Sequence, residues 1–576
     1  MRLATVMRSL AFAVSTALVA TTAQAALVVD EQFEGTYFNA TQSGRGVNFD
    51  WFQTGATDGV MGIVFYTYDA AGNPSWVLAN VPFSQREAKK TNVDVLRFTG
   101  GSFGNTFTTP TGAVVGKLDV EFLSCNRVKL DFVAAAGSNL QNFNMDLERA
   151  GGAPASCAYT SEFTACPTGT TRIEALPRTC QLPATVTGNL HLPNHATYLV
   201  NGKTSVGGGR NAQPGTLTIE PGTVVQGLGQ QVDFIVVQPG SKIYAEGTPT
   251  APIIFTGPSD VPGSWAGLVL AGNAVNNGCT GATPCAFEAD SSITFGGSDD
   301  NDSSGVLRYV QIRYAGQVIR ENEELNALTL LGVGRGTVID HVQVHAGKDD
   351  GLEMFGGTVN VKHYVGTAVE DDCLDFAEGY TGKIQYAYCK QTATASSDSN
   401  GVESDNKPNA FDLLPRTQPK VANVTLIGVA SGNEGLRVRR GSGGNYYNVV
   451  ATGFGQECLN FNDSATFTAS GTAQALTATG ALTMTGSSLG CATNFEDSSS
   501  DPFLVSAWYR GQSSNSDGAA AALGLNGRFP SASSILLGTG VAVPNDSFFD
   551  RTTFKGAFGG MSTDWAQGWT MHGTLD

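Results

Sequence analysis

The chain has 576 residues, with 51 Asp and Glu against 34 Lys and Arg and a formal net charge of −17, which argues against nucleic acid or an anionic lipid surface as a partner. Gly accounts for 71 positions and charged residues for only 15% of the chain. With its many Val, Thr and Asn residues, this is the composition of an all-β extracellular protein rather than a helical cytosolic enzyme.

Residues 1–25 place Arg2 and Arg8 before an apolar run from Leu10 to Ala20 and a small-residue exit at Ala23-Gln24-Ala25. Charge, apolar core and exit in that order predict a secretory signal peptide, so the protein is expected outside the inner membrane: extracellular, at the cell surface or periplasmic. Nothing downstream approaches the ~18 consecutive apolar residues of a membrane-spanning helix. Ten cysteines follow, with no CxxC pair among them. An even count in an exported chain favours disulfides over zinc. Nearest-neighbour pairing, Cys125–Cys157, Cys166–Cys180, Cys279–Cys285, Cys373–Cys389 and Cys458–Cys491, is the expected connectivity.

Residues 26–150 alternate in short runs such as VNFDWF and KLDVEFL, with a hairpin turn at Ala70-Ala71-Gly72-Asn73-Pro74. They predict a small antiparallel β domain. The SGRG turn at Ser43 to Gly46 and the YDAAGNPSW hairpin resemble a β module that recurs in secreted proteins of Gram-negative bacteria. Trp51, Tyr66, Tyr68 and Trp76 have the rings to stack on sugars, although core and cross-strand packing is the expected use. Residues 151–185 read as a disulfide-containing linker.

From 186 to 576 the pattern changes to brief β-branched strands broken by Pro-Gly and Gly-Thr turns, as in GTLTIEPGTVVQG. Self-similarity is visible in the middle. DDGLE at Asp349, DDCLD at Asp371, NGVE at Asn400, NEGLR at Asn433 and QECLN at Gln456 repeat one corner, and their central aliphatic residues are offset by 22, 28, 34 and 23. A step near 22 lengthened by insertions predicts a right-handed parallel β-helix whose equivalent residues stack about 4.8 Å apart. Residues 461–535 read as insertions or a lid. The aromatic end, Phe548, Phe549, Phe554, Phe558, Trp565 and Trp569, reads as a cap on the open end of the solenoid.

Aligning the corners puts Asp350 beneath Asp372, and Glu353, Asp375 and Glu403 in a second column. Stacked carboxylates repel, so three outcomes are open: a protonated general acid, a calcium site, or an inert ladder neutralised by Arg. GGSDDNDSSG, with Asp299, Asp300 and Asp302, is a separate calcium candidate, as is ENEELN at Glu321 to Asn326, and a solvated loop is the competing reading of both.

The central coils resemble polygalacturonases, β-helix glycoside hydrolases with an Asp-Gly corner, an Asp-Asp-Cys one coil later, then Gly-His-Gly and Arg-x-Lys. By that likeness Asp350, Asp371 and Asp372 correspond to catalytic acids and Arg437 to the binder of a substrate carboxylate. The sequence reads SNGVES where Gly-His-Gly falls, and Arg439 stands in place of Lys. The runs TIEPGTVVQG, GSWAGLVLAG and DDGLEMFGGTVNVKH resemble a larger group of exported bacterial β-helix proteins. The resulting expectation is a secreted or cell-surface protein that binds polysaccharide or cell-envelope glycan through Glu353, Asp375, Glu403, Arg437 and Arg439, with a polysaccharide hydrolase or lyase as the alternative.

Overall fold

A computed structural model describes residues 29–575 apart from 43, 56–57, 85–87, 103–107, 155–156, 158, 160–161, 177, 280–282, 321–322 and 472–479. The expected signal peptide, residues Glu321 and Asn322 of the ENEELN run and Ser43 of the SGRG turn therefore lie outside the described residues.

Alternating burial along the N-terminal strands closes them into an antiparallel barrel. Its strands are β1 Gly35–Phe38, β2 Gly46–Gln53, β3 Asp58–Tyr68, β4 Pro74–Ser84, β5 Lys89–Thr99, β6 Thr111–Ser124, β7 Arg127–Ala134 and β8 Phe143–Arg149. Phe33, Phe49, Phe83 and Phe122 meet edge-on at its centre. Trp51 is buried in this core, over Gly59, where any side chain would collide with the indole. Tyr66, Tyr68 and Trp76 instead face outward and are exposed. The barrel packs on the solenoid: Gln32 Nε2 donates to the Thr250 carbonyl at 3.1 Å, and Val224 and Ile254 join the barrel's apolar core.

The solenoid has three strands per coil. One face is a parallel sheet running from Thr185–Val186 to Thr493–Phe495. The other two faces are joined in long strands such as Val338–His345, which bend where His341 adopts a left-handed φ of 56°. The register on the first face is the one the repeated corners predict: Leu352 pairs with Leu374, Leu374 with Val402, Val402 with Leu436 and Leu436 with Leu459. These aliphatic residues all point into one continuous core. All five disulfides join nearest-neighbour cysteines.

Two boundaries differ from the sequence reading. Thr179–Gln181, within the expected linker, is already a strand of the first coil, paired in parallel with Thr197–Val200. Within 461–535, Leu482–Thr485, Ser488–Gly490 and Thr493–Phe495 continue the solenoid sheets. Helix Val505–Gly511 then places Trp508 and Tyr509 against Phe461 and Phe495, so these rings, with Phe503, plug the C-terminal end of the core.

The aromatic tail consequently does not cap that end. It runs back along the flank, over the row of left-handed corners. Asn448 Nδ2 donates to the Val541 carbonyl at 3.0 Å, Asn423 Nδ2 to the Gly556 carbonyl at 3.2 Å, and Gln311 to the Trp569 carbonyl. Trp565 lies across His363 with ring centroids 5.1 Å apart. The composition of the tail matched a cap, but its polar partners lie on the side of the coils.

Candidate functional site

The corner that precedes each strand of the first face forms a hydrogen-bonded ladder. Asp350 Oδ1 accepts the Asp372 backbone N–H at 3.0 Å, Asp372 Oδ1 accepts the Asn400 N–H at 2.6 Å, and Asn400 Oδ1 accepts the Glu434 N–H at 3.1 Å. Each side chain thus satisfies a backbone donor of the coil above, which the bend would otherwise leave unpaired. The disulfide Cys373–Cys389 adjoins the Asp372 rung.

Three residues further along each coil, the outward side chains form the second column. Glu353 pairs with Asp375, Asp375 with Glu403, and Glu403 with Arg437. The two columns converge. Carboxylate oxygens of Asp349, Asp350 and Asp371 lie within 4.8 Å of one another, as do those of Asp350, Glu353 and Asp375, and those of Asp372, Asp375 and Glu403.

At one end the column is closed by cations. Arg439 donates to Glu403 and, at 2.8 Å, to Asp405, which also receives Arg440 at 2.5 Å. Arg437 lies 2.9 Å from Asp398, 3.6 Å from Glu403 and 3.7 Å from Glu434. The two arginines expected to grip a substrate are therefore engaged by the protein's own acids. Farther from these arginines, Glu353 accepts the neutral Asn326 amide, and Asp375 Oδ1 is buried without a hydrogen-bond partner among the described residues.

Burial is the main cause of the electrostatics. It lifts the carboxyls of Asp350, Glu353, Asp372 and Asp375 well above the usual range, and the neighbouring acids lift them further. Glu403 is pushed up to about 7, burial outweighing the opposing pull of Arg439 and Arg437. The charges on Glu403 and Asp405 hold the Arg439 proton more tightly than usual despite burial. A buried group of this kind either keeps protons near neutral pH or exchanges them for a cation.

All the expected column residues come together. Asp405, Glu434 and Asp398 belong with them and were missed, although Asp405 stands two residues after Glu403 and so faces the same side of its strand. The Asp299, Asp300 and Asp302 loop is separate. Asp299 Oδ1 accepts the Asn301 N–H at 3.0 Å, Asp302 Oδ2 accepts the Asn273 N–H at 2.7 Å, and Asp300 lies 3.5 Å from Arg335. These three carboxylates shape turns and do not converge among the described residues.

No curated protein and no solved structure matches the chain. Residues 184–570 match the family described as a pectate-lyase like beta helix domain, which links the chain to polysaccharides. That link and the five disulfides fit an extracellular protein, and no described helix is long and apolar enough to cross a membrane. The match spans well over half of the sequence and coincides with the solenoid built above, so the chain belongs to the pectate-lyase-like β-helix family.

Proposed function

We propose that the protein binds an acidic polysaccharide along the first face of its β-helix, with a divalent cation held in the acid column as the bridge. The observation that carries this reading is the replacement of Asn by Asp on the ladder. Asn400 accepts its backbone N–H without charge, whereas Asp350 and Asp372 do the same with buried carboxylates at 7% and 5% exposure. The hydrogen bond alone does not require the charge, and burying that charge is costly without a partner. Hard carboxylate oxygens, among them the unpartnered Asp375 Oδ1, suit calcium. Asp350, Glu353 and Asp375, or Asp372, Asp375 and Glu403, would hold it. Bound calcium would supply positive charge to which uronate carboxylates can coordinate.

Turnover is the second reading, and the raised carboxyls of Asp350 and Asp372 favour it, since a protonated carboxyl can act as a general acid. Binding is preferred because Arg437 and Arg439 are bound to internal acids. The approach of Asp350 and Asp371 oxygens within 4.8 Å disfavours an inverting pair, which keeps roughly 6.5–9.5 Å for its water, but not a retaining one.

The test is calorimetry of the intact protein with polygalacturonate, with calcium and with EDTA, beside assays for reducing ends and unsaturated products. Calcium-dependent binding without new ends, weakened by Asp372→Asn, is the expected result. Product formation abolished by Asp372→Asn would replace binding with catalysis.

A further inference from the structure

The barrel carries a second surface unrelated to the acid column. On β3 to β6 the inward residues build the core, and the outward face carries ion pairs such as Lys117–Asp94 but also one aromatic row. Tyr66 on β3 pairs directly with Trp76 on β4, and the Trp76 ring lies 6.3 Å from Phe98 on β5 with only 18° between their planes. Tyr66 and Trp76 are 56% and 49% exposed, and Tyr68, one outward position further along β3, is 45% exposed. An aromatic row this open on a soluble protein marks an interaction surface rather than packing.

Its shape and chemistry narrow the occupant. The row ends in glycines: Tyr66 pairs with Gly46, and Phe98 with Gly112, where a Cβ would stand 2.9 Å from the Phe98 ring. Phe98 is half-buried, with its ring stacked on Trp76, and among the described residues these glycines leave no side chain beside Tyr66 or Phe98 at either end of the row. The barrel is closed, so it offers no free strand edge to a peptide. The chain's net charge of −17 opposes an anionic bilayer. Among the described residues no charged side chain stands between Tyr66, Trp76 and Phe98, which neighbour one another directly, so the row suits an uncharged ligand with flat apolar faces. Sugar rings linked through equatorial positions present such C–H faces in succession, and aromatic side chains receive them with little loss of conformational freedom.

We propose that Tyr66, Trp76 and Phe98 form a binding platform for a neutral β-1,4-linked glycan chain, separate from the acid column. The inference takes its ligand class from the polysaccharide reading above and takes nothing from the cation site.

The experiment uses the intact, disulfide-bonded protein. Depletion on insoluble cellulose and chitin, and titration with cellohexaose and chitohexaose, are compared for the native chain, Tyr66→Ala/Trp76→Ala, Trp76→Phe and Asp372→Asn, in EDTA. Retention of the native protein, at least tenfold weaker in the double variant and little changed in Trp76→Phe and Asp372→Asn, is expected. In the native protein the bound hexaose should also shield tryptophan fluorescence from acrylamide, a readout that needs no variant. Failure of the native protein to bind all four probes would overturn the platform, as would equal binding by the double variant. Self-association, or binding to phosphatidylcholine vesicles, that depends on Trp76 in place of glycan binding would also overturn it. Loss of calcium-dependent polygalacturonate binding in Asp372→Asn with cellohexaose binding intact would locate a failure at the acid column alone.

Discussion

Asp350 and Asp372 lie one above the other on adjacent coils, and the backbone N–H of Asp372 donates to Oδ1 of Asp350 at 3.0 Å. The lower carboxylate thus helps to build the corner that carries the upper one. Position and charge are separable: Asn400, on the next rung, keeps the hydrogen bond and lacks the charge. Stability and ligand binding should accordingly respond in opposite directions to Asp→Asn changes.

Burial raises the carboxyls of Asp350, Glu353, Asp372 and Asp375, and sets Glu403 at about 7. The folded chain therefore binds more protons than the unfolded chain between about pH 4.5 and 7, and stability is lost as pH rises through that window. Glu403 alone corresponds to about 3 kcal/mol. Urea unfolding in EDTA should show the midpoint falling from pH 4.5 to 7, with the decline reduced in Asp372→Asn. Calcium should restore much of the loss at pH 7, and a flat profile in EDTA would contradict the buried acid column.

Arg439 joins Glu403 and Asp405, so Arg439→Met removes the shared partner of two buried carboxylates and leaves only Arg440 on Asp405 and Arg437 3.6 Å from Glu403. Breaking such a set from one side costs about 3–5 kcal/mol. The loss should be large at pH 7 and smaller near pH 4, where Glu403 is protonated in either state. Chemical denaturation at the two pH values measures the difference.

The Cys373–Cys389 bridge spans a sequence separation of 16 and adjoins the Asp372 rung. Replacing both residues by Ala should lower stability by about 3 kcal/mol through the freed loop. It should also weaken calcium binding, because the rung loses its anchor. Calorimetry of the double variant with calcium distinguishes a local effect from a global one.

Trp569 is buried against Tyr309 and His341 on the flank, far from the plugged end of the core. Trp569→Ala should cost about 3–5 kcal/mol, and hydrogen exchange should rise on the strands Gly305–Arg313 and Val338–His345 that the tail covers. Protection lost instead at Glu457–Phe461 would indicate that the tail caps the end after all.

Period and punctuation alone pointed to the β-helix and the register of the five corners, because each depends on spacing along the chain, whereas the nearest-neighbour cysteine pairing was an expectation that the structure bears out. Leu352, Leu374, Val402, Leu436 and Leu459 recur since every coil must bury one side chain at that place. Partnership across distance emerged only from the three-dimensional arrangement. Arg439 lies 34 residues from Asp405 and 36 from Glu403, and no local pattern says that it neutralises them rather than a substrate. Trp51, Tyr66, Tyr68 and Trp76 were legible as aromatic strand residues, but their partners and exposure depend on which face of β3 the barrel closes upon, which buries Trp51 and opens the other three. Trp565 and Trp569 were legible as buried aromatics, whereas their place on the flank follows from helix Val505–Gly511 having already filled the end.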